Sequence, residues 1–238
     1  LTRYDAWELA SRLSYLFWAS MPDDALLDAA EAGRLTTTDG LVTHAERLLA
    51  DPRSRSSVGH FFDQWLELEG IAGLTKDATA YPGFTPAIAS SMAREVSTFA
   101  EHVFFEAGGR ARELISASYS FVDKTLAAYY GVTGPTGAAF EKAALRPNER
   151  AGVLTLGGIM AAHARPNQSS PIARGKFLRE RILCQTLPLP PNDLEIEPPE
   201  IVPGATTRER FRQHTVEPRC AGCHQLIDPP GFLFEHYD

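Results

Sequence analysis

Between residues 4 and 20 the chain sets Trp7, Leu9, Ala10, Leu13, Leu16 and Phe17 at helical spacing, which gives a helix one broad apolar face. Met21-Pro22-Asp23-Asp24 interrupts that pattern and caps a second helix over 25–32, which stops at Gly33. Thr37 and Thr38 open a third helix that runs to Leu49 and is stopped by Asp51-Pro52. A fourth is predicted over 53–69, carrying Phe61, Phe62, Trp65, Leu66 and Leu68. After a loop over 70–83, Thr85-Pro86 starts the longest helix, with Met92, Val96, Phe99, Val103 and Phe104 on its apolar face and Gly108-Gly109 as its stop. A short turn at Leu114 and a helix over 121–130, closed by Gly131, complete the first block. The aromatic stripes of this block are read as core.

Gly134-Pro135-Thr136-Gly137 marks a boundary. Beyond it, residues 150–163 form an apolar helix (Val153, Leu154, Leu156, Ile159, Met160), followed by the polar loop 165–171. Ser170 is placed as an N-cap with Pro171 at the first helical position, so the next helix passes through Phe177 and Ile182. Residues 187–203 are a Pro- and Glu-rich linker of extended character. A last short helix over 207–214 delivers the chain to its end, where Asp228-Pro229-Pro230-Gly231 reads as a rigid turn folding Phe232 and Phe234 back. No repeat, hairpin or βαβ pattern stands out. The expected fold is all-α: a multi-helix scaffold domain over 1–134, then a smaller, helical and loop-rich domain over 149–238.

Composition narrows the function more than the fold. A chain of 238 residues with net charge −7 does not carry the basic surface that nucleic acid or an anionic membrane attracts. No run of about eighteen apolar residues is present, so no transmembrane segment is expected. The start, Leu1-Thr2-Arg3-Tyr4, is neither a signal peptide nor an initiator Met, and the chain reads as a piece of a longer polypeptide. Three cysteines do not suggest a disulfide scaffold, and Cys184 reads as a buried small hydrophobe. G-x-S-x-G, HExxH, Walker-type and Rossmann fingerprints are absent.

The chemistry concentrates in Cys220-Ala221-Gly222-Cys223-His224. This CxxCH pentapeptide is the sequence form of covalent c-type haem attachment. Two thiols three positions apart suit the two vinyl groups on one porphyrin edge, the small Ala221-Gly222 pair lets the backbone approach the ring, and the following His ligates the iron. Cys220, Cys223 and His224 are therefore the expected haem c residues, with Arg174 as a bidentate partner for a propionate. The alternative for the basic run Arg174, Lys176, Arg179 and Arg181 is a solvated helix face. His214 and His163 are candidates for the second axial position, beside Met160 and His236. Two other readings of CxxC stay open: half of a zinc site completed by His214, His224 or Cys184, and a thioredoxin-like dithiol, which lacks its βαβ context.

Three segments, 13–35, 150–191 and 214–238 (the last HTVEPRCAGCHQLIDPPGFLFEHYD), resemble the adjacent planctomycete-type domains of unknown function that accompany c-type cytochromes. The resemblance spans nearly the whole chain in two blocks, 4–134 and 149–238. It implies an exported, haem-bearing module of a larger bacterial protein, carries a His to position 214, and supplies no reaction. Some relatives have Met where this chain has Ile227. The expectation from motif and resemblance together is an electron-transfer module in the periplasm or at the cell surface, whose partner is a redox protein or a neighbouring domain. The rivals are a peroxidase- or oxygenase-like haem enzyme with an open axial site, a zinc-stabilised structural domain, and a substrate- or surface-binding domain.

Overall fold

The computed structural model describes residues 3–146, 148–188, 199–216 and 218–237. The described chain is mostly helical, with one two-stranded sheet and an isolated bridge between Ala164 and Ser169, so the all-α reading holds. It divides into two compact units, Leu1–Gln64 and Trp65–Asp238.

In the first unit, α1 (Ala6–Trp18) begins at a capping box in which Asp5 and Glu8 bond each other's backbone N–H. Asp23 caps α2 (Asp24–Glu31) and Thr37 caps α3 (Thr38–Ala50). These helices enclose Ala10, Trp18, Leu26, Ala29, Leu35 and Leu48. The buried indole of Trp18 donates to the carbonyl of Leu48 at 2.9 Å, so α1 and α3 are fixed by a hydrogen bond as well as by packing. α4 covers Ser54–Trp65, shorter than the sequence pattern suggests. Glu67 takes a positive φ of 56° shortly after it, and the helical pattern does not continue.

The second unit is organised around α5 (Pro86–Phe105), capped by Thr85. Its apolar face buries Ile88, Ala89, Met92, Val96, Phe99, Ala100 and Val103. α6 (Ala111–Ser116) follows, and then the sequence expectation fails. Residues 119–122 are a strand, β1, and the helix begins only at α7 (Lys124–Tyr130), where Asp123 caps it through the Leu126 N–H. β1 buries Ser120 and Val122 alternately and pairs antiparallel with β2 (Glu141–Ala144), Tyr119 opposite Ala144 and Val122 opposite Glu141. A helix and a loop separate the partners, so no tight-turn signal announces the pair.

The helix expected over 150–163 is also broken. Gly152, at φ 62°, leads into a 3₁₀ turn (Val153–Thr155) before α8 (Gly157–Ala162). α8 lies so close to α5 that a Cβ on Gly158 would sit 2.9 Å from the Met92 carbonyl oxygen. Ser170 caps α9 (Pro171–Phe177) through the Ala173 N–H, with Pro171 first in the helix. A π-helical turn, Leu178–Ile182, extends it. Cys184 is exposed rather than buried: it takes the left-handed position just past that turn (φ 51°), a place glycine usually fills. Of the linker, residues 189–198 lie outside the described residues. α10 (Thr207–Val216) starts at a Thr206–Glu209 capping box, and α11 (Pro218–Gly231) closes the fold.

α11 corrects a further expectation, because Pro229 and Pro230 lie inside its last turn instead of forming a separate turn. Proline has no N–H for the carbonyl four residues back. For Pro230 that carbonyl is Leu226, and the Arg179 guanidinium donates to it instead.

Candidate haem-attachment site

Glycine sets the position of the CxxCH helix. A Cβ on Gly175 of α9 would collide with the Ile227 carbonyl of α11, and one on Gly231 of α11 with the Pro171 carbonyl of α9. The two backbones thus meet at both ends of the crossing, and α11 is held against α9. α10 packs on α11 and is tied back through Arg210, which donates to Gln168 at 2.6 Å.

On α11, Cys220, Cys223 and His224 stand at i, i+3 and i+4 and therefore share one face. Both thiols are free and half-buried. His224 Nδ1 lies 2.9 Å from Asp228 Oδ1, one helical turn on. A carboxylate only accepts, so the contact puts a proton on Nδ1 and makes Nε2 the ring atom that could ligate a metal. Asp228 is 2 % exposed, and its second oxygen is buried without a hydrogen-bond partner. His224 and Asp228 line a cavity of about 490 Å³ together with Arg208, Phe211, Arg212 and Phe232. Arg208 stacks over the Phe232 ring at 4.4 Å. The imidazole, the aromatic walls and the two guanidinium groups line one cavity. Cys220 and Cys223 are not among its lining residues but precede the imidazole on the same face of α11, so the residue types are those a covalently attached haem would use. A Cβ on Gly222 would meet no protein atom within 4 Å, so the CxxC backbone is open to close approach.

The other candidates lie in different settings. Arg174, 1 % exposed, donates to the carbonyls of Phe234, Met160 and Tyr237 and to the Glu235 carboxylate. It clamps the segment after α11 rather than forming part of a solvated face. His163 stacks on Phe177 with centroids 4.2 Å apart. Its Nε2 is buried without a hydrogen-bond partner, and desolvation pushes its pKa down to about 4, so the ring is neutral and keeps a lone pair. His163 is not among the residues lining the His224 cavity. His214 lies on α10, but its side chain falls outside the described residues. Among the described residues, no group of three His, Cys, Asp or Glu side chains is placed to hold a metal ion.

Sequence reasoning missed two buried acids. Asp228 was legible as a carboxylate four positions after a histidine. Glu95 sits in the apolar stripe of α5, 0 % exposed, where it accepts from Ser120 at 2.7 Å and Tyr130 at 2.6 Å. Burial raises its pKa to about 7, against the two hydroxyl donors and the Arg150 charge. Tyr130, Met160 and His236 line a second cavity of about 640 Å³. No helix among the described residues is long and apolar enough to cross a membrane.

Two family models match the chain in succession. PSCyt3, a protein of unknown function (DUF1588), matches residues 150–238, and PSD4, a protein of unknown function (DUF1592), matches residues 4–132. No curated protein and no solved structure matches. The boundaries of the matches differ from those of the compact units, since α5 to α7 belong to the first match and to the second unit. As the first model covers more than half of the 238 residues, the chain belongs to the PSD4 family of proteins of unknown function, followed by a stretch matching PSCyt3.

Proposed function

We propose that this chain is a c-type haem module whose role is electron transfer within an exported bacterial protein. Thioether bonds from Cys220 and Cys223 would hold the haem, His224 would ligate the iron, and the haem would supply one-electron chemistry. The observation that carries the reading is the shared face of Cys220, Cys223 and His224 on α11, with the imidazole oriented by Asp228. The Cyt element in the name of the matching PSCyt3 model agrees with it.

The protein's part is positioning and environment. Phe211 and Phe232 offer apolar walls, and Arg208 and Arg212 offer guanidinium groups at the cavity, where propionates would meet them. Arg174 supports the site indirectly, by holding the chain that follows α11. His214, on the helix packed against α11, and the neutral, buried His163 are the proposed sources of a second axial ligand. Haem c maturation places the protein in the periplasm or at the cell surface, with a redox protein or neighbouring domain as its partner.

The test is an absorption spectrum of protein made with the cytochrome c maturation machinery, oxidised and then reduced, followed by a pyridine haemochrome assay. A sharp reduced α-band with a c-type haemochrome supports a six-coordinate electron-transfer site. A high-spin spectrum that responds to carbon monoxide moves the reading to a haem enzyme with an open axial position. No Soret band, with zinc found by elemental analysis, overturns it in favour of a structural metal domain.

A further inference from the structure

We propose that Asp228 is a positioning residue whose buried carboxylate holds His224 through a charge-assisted hydrogen bond and thereby biases the attached iron toward its ferric state. The inference rests on the haem reading above and goes beyond it, because attachment and ligation need only Cys220, Cys223 and His224.

The geometry is specific. Asp228 lies four residues after His224, so both side chains leave the same face of α11, and the ring nitrogen and carboxylate oxygen are 2.9 Å apart. The carboxylate is 2 % exposed, and its other oxygen is buried with no hydrogen-bond partner. Asp228 is therefore not spent on capping a helix or bridging to a neighbouring cation. The hydrogen bond it is seen to accept comes from the imidazole. A backbone carbonyl in that place would orient the ring equally well, but it would carry no charge. A hydrogen bond to a buried carboxylate is stronger than one to a neutral carbonyl, because water does not screen the charge. A ring held in this way is a stronger donor at Nε2, and a stronger donor beside a negative charge stabilises Fe(III) over Fe(II). Arg208 and Arg212 line the same cavity and act in the opposite sense as positive charges, while Glu209 reinforces Asp228. Asp228 is in direct contact with the ligand ring.

Asp228→Asn keeps the shape and an acceptor oxygen but removes the charge. Outer partners of metal-bound histidines commonly carry ten- to hundredfold effects. The ferrous-to-ferric ratio of haem-loaded D228N at a fixed ambient potential should rise by about that factor, or about 60–120 mV at 59 mV per tenfold for one electron. Spectroelectrochemical titration of both proteins reads it directly. A change smaller than about threefold overturns the proposal.

A second measurement needs no variant. Proton NMR of the reduced, diamagnetic haem-loaded wild type should show the His224 Nδ1 proton as a slowly exchanging signal, held by the buried Asp228 carboxylate. An Nδ1 proton that exchanges freely with water overturns the role of Asp228 while leaving the haem reading intact, even where D228N fails to fold. A wild type that attaches no haem overturns both.

Discussion

Glu95 makes the stability of the second unit depend on pH in a direction opposite to that of a paired surface carboxylate. Its carboxyl is 0 % exposed at the centre of α5, and its pKa rises from 4.5 to about 7 because burial disfavours the charged form more than Ser120, Tyr130 and Arg150 favour it. Between pH 4.5 and 7 the folded protein holds a proton that the unfolded chain has released. The group's contribution to stability is therefore complete below pH 4.5 and is lost as pH rises through 7. At about 1.4 kcal/mol per pKa unit, the loss across that window is about 3 kcal/mol. Glu95→Gln retains a neutral amide that accepts from one hydroxyl and donates to the other, and it does not titrate. Urea unfolding followed by circular dichroism should find E95Q close to wild type at pH 4.5 and more stable than it by about 3 kcal/mol at pH 8. A difference between the two proteins that stays constant across this range would refute the reasoning, since it would mean that Glu95 is charged, or neutral, throughout.

The α9–α11 crossing yields another prediction. Gly175→Ala drives a Cβ into the Ile227 carbonyl, so overpacking should cost about 1–3 kcal/mol, lowering the melting temperature and the yield of covalently attached haem together. Arg174→Lys keeps the charge but not the fork that reaches three carbonyls and Glu235. It should cost about 3 kcal/mol in urea unfolding and make the chain after α11 sensitive to limited proteolysis. Trp18→Phe leaves the buried Leu48 carbonyl without its indole donor and should destabilise the first unit by about 1–3 kcal/mol, seen as faster amide hydrogen exchange in α1 and α3.

Helix starts were legible because their caps are local. Asp23, Thr37, Thr85 and Ser170 each accept from a backbone N–H three residues on. What sequence reading missed depends on distant partners. β1 is a strand because β2 returns beside it from some twenty residues away, and an isolated Tyr119-Ser120-Phe121-Val122 does not announce that partner. Pro229 and Pro230 signal a turn by local rules, yet Arg179 supplies the donor missing at Leu226 and the helix continues through them. Gly157 and Gly158 lie in the helix expected over 150–163 and owe their places to close contact with α5 and Tyr130. The thiols and His224 are legible as a motif and Asp228 as a carboxylate four positions on, but the contact between the two rests on α11 staying helical through 228. Arg174 was chosen for a propionate because its charge is local information, whereas its four acceptors come from Met160 and from residues 234–237.

The central claim is covalent haem on α11, and intact-protein mass spectrometry after acid–acetone extraction tests it most directly. Protein made with the maturation machinery should keep an added mass of one haem through an extraction that removes non-covalent haem, and a Cys220→Ala/Cys223→Ala double variant should lose it. An extracted wild-type protein with the mass of the bare polypeptide would contradict the account.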